Sequence, residues 1–182
     1  MLEKDQSLKK SNKQRLKTIK ISCKMLNSFL LDLVDWTQIK LGKFAKKEEK
    51  FNLHELFDNV CEMIKFKADI KQIFCDVELE RNLPVMVFGD QQRLMQIVIN
   101  LMSNALKFTF FGGVKTKVKY LNPLLEVSVT DTGDGMSLET QKNLFKLFGT
   151  KSSKNERNIG GIGLGLCICK MLVEQFGGKI DC

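Results

Sequence analysis

The sequence predicts an α/β two-layer sandwich, three helices over a mixed sheet, preceded by a long amphipathic helix. Three observations carry this. Helical periodicity recurs in separate segments near 53–70, 90–108 and 163–176; apolar and polar residues alternate at 74–80 and again over 114–130; and about Leu8 to Leu41 contains no Gly or Pro but keeps one apolar stripe. At 182 residues and 43% apolar content the chain can bury one core and still carry an appendage.

The first helix is read from Leu16, Ile19, Cys23, Leu26, Leu30, Leu33 and Thr37, a mixed three-and-four spacing widened by Ile21, Met25, Phe29 and Trp36. So broad a face on so long a rod calls for partner helices. Gly42-Lys43 ends it. After a lysine-rich stretch, Leu53, Leu56, Phe57, Val60, Met63 and Ile64 define a second helix to about Ile70. Phe74 to Glu80 reads as a strand, and Val114–Leu121 and Leu124–Thr130 as two more, joined by an Asn122-Pro123 hairpin turn. A helix over about 90–108 starts at Asp90 as cap, helices follow at 138–147 and 163–176, and a last strand begins after Gly177-Gly178.

Charge and cysteines exclude several classes. The net charge of +8 is concentrated in residues 1–50, with 13 Lys and Arg against 6 Asp and Glu. A basic arm can touch nucleic acid or an anionic membrane, but no aromatic interleaves with the lysines from 4 to 24, and a solvated helix face is the expectation, without nucleic acid as partner. Six scattered cysteines lack the paired knuckles of a zinc site and read as reduced thiols. No apolar run approaches the ~20 residues of a membrane span, and the first residues do not form a signal peptide. A cytoplasmic location is expected, with membrane contact only through segments outside this sequence.

Three motifs carry chemistry. Gly160, Gly161, Gly163 and Gly165 run straight into an apolar segment of helical length. Each glycine costs a helix roughly a kilocalorie against alanine. Bare backbone at a helix entrance suits a phosphate, although the glycines alone also fit a flexible loop before an ordinary helix. On the 90–108 helix, Gln96, Asn100, Asn104 and Lys107 form one polar stripe on an apolar rod. Two amides one turn apart can hold a hard cation such as Mg²⁺ and Lys107 can meet phosphate, or the asparagines are simply satisfied within the fold. Asp131-Thr132-Gly133-Asp134-Gly135 follows a strand, so that Asp131 can accept from an exocyclic amine such as that of adenine. Such clusters also mark turns; a calcium loop is disfavoured because no bidentate Glu follows at its spacing.

In order, Asp90-x-x-Arg93-Leu94-x-Gln96-Ile97-x-x-Asn100-Leu101-x-x-Asn104-Ala105-x-Lys107-Phe108-Thr109, Asp131-x-Gly133-x-Gly135, Phe145-x-x-Phe148 and Gly161-x-Gly163-x-Gly165-Leu166 resemble the N, G1, F and G2 boxes of sensor histidine kinases. These belong to a wider superfamily with type II topoisomerases, heat-shock-90 chaperones and mismatch-repair ATPases. The resemblance covers about 51–182. Upstream, Leu26 to Lys43 is similar to the second helix of that family's dimerisation and phosphotransfer domain, which implies a homodimer through the N-terminal helix. The implied division is 1–46 for that partial helix domain and 47–182 for an ATP-binding catalytic domain of the histidine-kinase ATPase type.

Carried over box by box, the resemblance implies ATP and Mg²⁺ as cofactors. Asn104 coordinates the metal with Asn100 beside it, Lys107 contacts phosphate, Phe108 packs near adenine, and Asp131 binds the adenine amine. Gly133 and Gly135 shape the pocket. Gly161, Gly163, Leu164 and Gly165 admit the triphosphate, and Lys151, Lys154 and Arg157 lie in a lid over ATP. Hydrolytic relatives place a water-activating glutamate where this chain has Asn100, so transfer to an acceptor is expected over rapid hydrolysis.

Two departures matter. The family's phosphoacceptor histidine lies on a first bundle helix, and this sequence is expected to begin at about the end of that helix or after it. The single histidine, His54, sits in the connector, where His54-Glu55 imitates the motif but Phe57 follows and no proline comes later. It reads as a surface or capping histidine. The family also continues past Gly178-Lys179-Ile180-Asp181 with strands that finish the sheet, so a fragment is expected. The reading is an ATP-dependent protein-histidine kinase module of a two-component phosphorelay, acting on a histidine-bearing phosphoacceptor domain, with a response-regulator receiver domain as further partner. The alternative is a non-catalytic ATP-binding or dimerising regulator of a complete kinase.

Overall fold

The computed structural model describes residues 30–147 and 164–182, together with positions 12, 15, 16, 19, 23, 26 and 27. It divides into two compact units, Met1–Phe44 and Ala45–Cys182.

In the first unit, residues 30–40 form helix α1, and the earlier described positions are helical too. It stops as Gly42 turns to φ +64°. Gly42 N–H then donates to Ile39 O (3.1 Å) and Lys43 N–H to Gln38 O (2.8 Å), the paired bonds that satisfy a helix's last carbonyls.

In the second unit the order is β1 (Glu49–Asn52), α2 (Leu53–Lys71), β2 (Phe74–Leu79), β3 (Met86–Gly89), α3 (Gln91–Phe108), β4 (Gly113–Leu121), β5 (Leu124–Asp131), α4 (Leu138–Asn143) and α5 (Gly165–Gln175). Each start has a local cause. Asn52 Oδ1 accepts from the His54 and Glu55 amides while its own side-chain amide reaches Glu55, a reciprocal cap for α2. Asp90 Oδ1 accepts from Arg93 N–H (3.1 Å) at the head of α3, as its position in the sequence predicts.

The central sheet has the order β2-β4-β5. β2 runs parallel to β4, and β4 antiparallel to β5, with Val114 opposite Asp131 and Leu121 opposite Leu124 around the Asn122-Pro123 turn. Along β4, Val114, Thr116 and Val118 are buried while Lys115, Lys117 and Lys119 are exposed, so its period of two places one face against the helices. Leu53, Leu56, Phe57, Val60, Ile64 and Ala68 of α2 and Val98, Met102 and Leu106 of α3 fill the space above it. Burying each large side chain is worth about 1.5–3 kcal/mol. α5 joins through Cys167, Ile168, Cys169 and Leu172, all buried, and the Cys169 thiol reaches Ile97 O at 3.9 Å. Helices over a mixed sheet match the expected sandwich.

Three details differ from expectation. β1 and β3 form a separate antiparallel pair, with Glu49 opposite Gly89, that residue pattern alone does not announce. α4 ends at Asn143 rather than 147: its side chain donates to Glu139 O (3.0 Å) and accepts from Lys146 Nζ (2.8 Å), and the Leu144 and Lys146 amides bond only three residues back. Asparagine competes with the helical backbone in this way. After Gly177-Gly178 the described residues to 182 form no strand.

Candidate functional site

α3 presents the polar stripe from one rigid rod. Its members differ in what already engages them. Gln96 accepts from Arg93 Nη1 at 2.8 Å. Asn100 Nδ2 is buried without a hydrogen-bond partner, and the side chain lies beside the start of α5, 3.6–3.8 Å from where a Cβ on Gly165 would stand. A buried amide without a partner is costly, of order 1–3 kcal/mol, and is a reason to look for a ligand. Asn104, one turn on, is half-buried. α5 itself opens without a side-chain cap, since Leu164 holds the capping position and has no acceptor to offer. Its first amides therefore remain available to an anion.

At the other end of α3, Lys107 is half-buried, its ammonium 4.7 Å from the centroid of the Phe108 ring. Burial lowers its pKa from the ordinary lysine value. Phe108 itself is exposed.

The Asp131 loop comes to this same end. Asp131 closes β5, and its Oδ1 accepts from Gly133 N–H at 2.8 Å. One carboxylate oxygen thus shapes its own loop and the other remains for a ligand. A Cβ at Gly133 would stand 2.6 Å from Phe108 O and 2.8 Å from Asp131 Oδ1, closer than real side chains come. Only glycine lets the loop lie against the end of α3. At Gly135 the requirement is different: φ is +72° with nothing nearby, so the turn rather than proximity selects glycine.

Two contributors escape sequence reasoning. Thr132, the second residue of the Asp131 motif, donates from Oγ1 to Phe111 O (2.6 Å) and accepts from Gly113 N–H (3.0 Å), pinning the α3–β4 loop beside Asp131. Asp90 does more than cap its helix, because Oδ2 accepts from Lys47 N–H at 2.9 Å and ties the connector to the head of α3. Neither pairing, 19 and 43 residues apart, leaves a local pattern.

Gly161, Gly163, Lys151, Lys154 and Arg157, expected to admit and cover the triphosphate, lie outside the described residues, as does Phe148. Among the described residues no three His, Cys, Asp or Glu side chains gather to hold a metal ion. An amide pair suits Mg²⁺ all the same through its carbonyl oxygens, since that ion keeps several waters and takes the rest of its shell from substrate phosphates; the partnerless Asn100 Nδ2 is a donor and suits an acceptor such as a phosphate oxygen or a metal-bound water. His54 lies in the first turn of α2 with Nδ1 buried and without a hydrogen-bond partner.

Residues 89–182 match the family described as histidine kinase-, DNA gyrase B-, and HSP90-like ATPase. The chain is similar to the sensor protein GacS of Pseudomonas syringae pv. syringae, 35% identical over 91% of this chain and 19% of that protein. It is also similar to hybrid signal transduction histidine kinase B of Dictyostelium discoideum, 32% identical over 96% of this chain and 9% of that one. The chain therefore spans about a fifth or less of these relatives' length. Among solved structures, the catalytic domain of histidine kinase ThkA, in a nucleotide-free form, superposes with a TM-score of 0.63 at 31% identity, covering 74% of this chain and 87% of that one. Full-length ShkA in complex with AMPPNP superposes at 0.71 with 27% identity, covering 84% and 31%.

Proposed function

Because the chain belongs to the histidine kinase-, DNA gyrase B-, and HSP90-like ATPase family, with the catalytic domain of a sensor histidine kinase, we propose that it binds Mg-ATP and passes the γ-phosphoryl to a histidine outside this chain. The observation that carries the reading is the seat of Gly133 on Phe108 O and Asp131 Oδ1, which brings the end of α3 and the Asp131 loop to one place. The AMPPNP bound to full-length ShkA supports the choice of nucleotide.

Each residue then has a role. The free oxygen of Asp131 accepts from the adenine amine, and a base lacking that amine leaves the carboxylate unpaired. Phe108 offers a ring to the purine and Lys107 a cation to the phosphates. Asn100 and Asn104 would hold Mg²⁺, which supplies charge neutralisation on the triphosphate. The uncapped start of α5, with Leu164 and Gly165, receives phosphate oxygens, and Gly135 shapes the pocket rim. Lys151, Lys154, Arg157, Gly161 and Gly163 are proposed to complete the phosphate side. Asn100 has no carboxylate with which to activate water, so positioning of an acceptor outweighs hydrolysis. Residues 1–46 are proposed as a dimerising helix region and 47–182 as the catalytic domain of a two-component phosphorelay, with a histidine-bearing domain and a receiver domain as partners.

A titration with ATP tests the pocket: Asp131→Asn and Asn104→Ala are expected to weaken binding, and unchanged affinity in both overturns it. Incubation with labelled ATP and a separate histidine-bearing bundle domain tests transfer. Acid-labile phosphate on that domain is expected; nucleotide binding with no phosphate transferred leaves a regulator.

A further inference from the structure

The last turn of α2 delivers one cation to the end of α3. Lys71 Nζ lies 2.5 Å from Leu106 O, 3.0 Å from Thr109 O and 3.1 Å from Lys107 O, and 5.2 Å from the centroid of the Phe110 ring. An ammonium has three N–H donors, and here each finds a carbonyl. The last carbonyls of a helix lack intrahelical partners and form its negative end, so a cation there both satisfies and stabilises them.

These carbonyls bracket the residues that matter. Leu106, Lys107 and Thr109 are held by Lys71, while Phe108 O, between them, lies under Gly133. The segment carrying the Lys107 ammonium and the Phe108 ring is thereby gripped from two elements, α2 on one side and the Asp131 loop on the other. Lys67, one turn back on α2, only reaches Ser103 Oγ at 3.3 Å on the exposed surface and grips no carbonyl.

We propose that Lys71 is a positioning residue for the nucleotide site, setting through three main-chain carbonyls where the Lys107 ammonium meets phosphate. This rests on the ATP reading above. Small displacements of binding groups are expensive, and loss of the grip should weaken ATP binding about tenfold.

The test is calorimetric titration of the full chain with ATP. Lys71→Met is expected to raise Kd about tenfold, Lys71→Arg, which keeps donors for the carbonyls, to stay within about threefold, and Lys67→Met to leave Kd unchanged. General loosening of the fold would weaken ATP binding in any background. Acting through Lys107 predicts instead that Lys71→Met costs less than about threefold in a Lys107→Ala chain. An undiminished tenfold loss in that background overturns the proposal, as does unchanged ATP affinity of Lys71→Met when the unaltered chain binds. Should Lys71→Met fail to fold, Lys71→Arg decides alone, and a tenfold loss there counts against it. No binding by the unaltered chain removes the ATP reading itself, and this inference with it.

Discussion

α1 and α3 are both amphipathic helices, yet their apolar faces meet different fates. Ile97, Val98, Met102, Ala105 and Leu106 of α3 are buried by α2, α5 and the sheet. Leu30, Leu31, Leu33 and Val34 of α1 each remain about half exposed. A periodic apolar stripe states that a face wants cover; it does not state which chain supplies it. In α3 the same unit supplies the cover, and the polar edge proposed to meet a ligand sits on a packed rod. The described apolar positions of α1 are left without such cover, and pairing with a second copy is the proposed means of covering them.

The largest expected effect separates the two kinds of face. Leu56→Ala, fully buried in the core, should lower stability by about 3 kcal/mol in urea unfolding, whereas Leu30→Ala should shift it by no more than about 0.5 kcal/mol for unassociated chains. Equal costs would erase the distinction. Next is Gly133→Ala, which puts a methyl against Phe108 O and should weaken ATP binding about tenfold or more. Its thermal unfolding should move less than that of Leu56→Ala, because the strain sits at the pocket rather than in the core.

Charging the polar edge gives a smaller, pH-dependent effect. Burial lowers the Lys107 pKa, so its attraction for phosphate is present below that lowered value and is lost as pH rises through it. ATP affinity should therefore fall on alkaline titration earlier than an ordinary lysine would predict, and Lys107→Arg should flatten the profile. A wild-type profile already flat to the ordinary lysine range would break this assignment. For α1, Leu30→Gln with Leu33→Gln should shift sedimentation toward monomer while ATP affinity stays the same. The smallest effect is chemical: Cys23 and Cys182 are exposed and Cys167 and Cys169 are buried, so an alkylating reagent should modify Cys23 and Cys182 first, and Cys23 more slowly as protein concentration rises if α1 pairs. Burial also pushes the Cys61 and Cys75 thiols up, which should delay their reaction.

Much of this molecule was legible in residue order because its determinants are local. α2, α3, β2, β4 and β5 follow from periods of 3.6 and 2, and Asp90 and the Asn122-Pro123 turn mark their ends within a few positions. The Asp131 motif and the asparagine stripe stand out because their residue types are poor choices for plain packing. β1 and β3 do not stand out: each has four residues and exists only because Glu49–Asn52 meets Met86–Gly89. The grip of Lys71 is hidden for the same reason, since one lysine among several on the exposed side of α2 carries no mark of carbonyls 35 to 38 residues away.

By itself, then, residue order determined most of the elements, the layered class and the motifs that mark the family, because propensity, capping and alternation act over a few bonds. Only the tertiary structure decided that Gly133 rests on Phe108, that Asn100 meets the start of α5 without a partner, and that Lys71 holds the end of α3. Those contacts join residues far apart in the chain, where the entropy of closing the loops is repaid only once the whole core has formed.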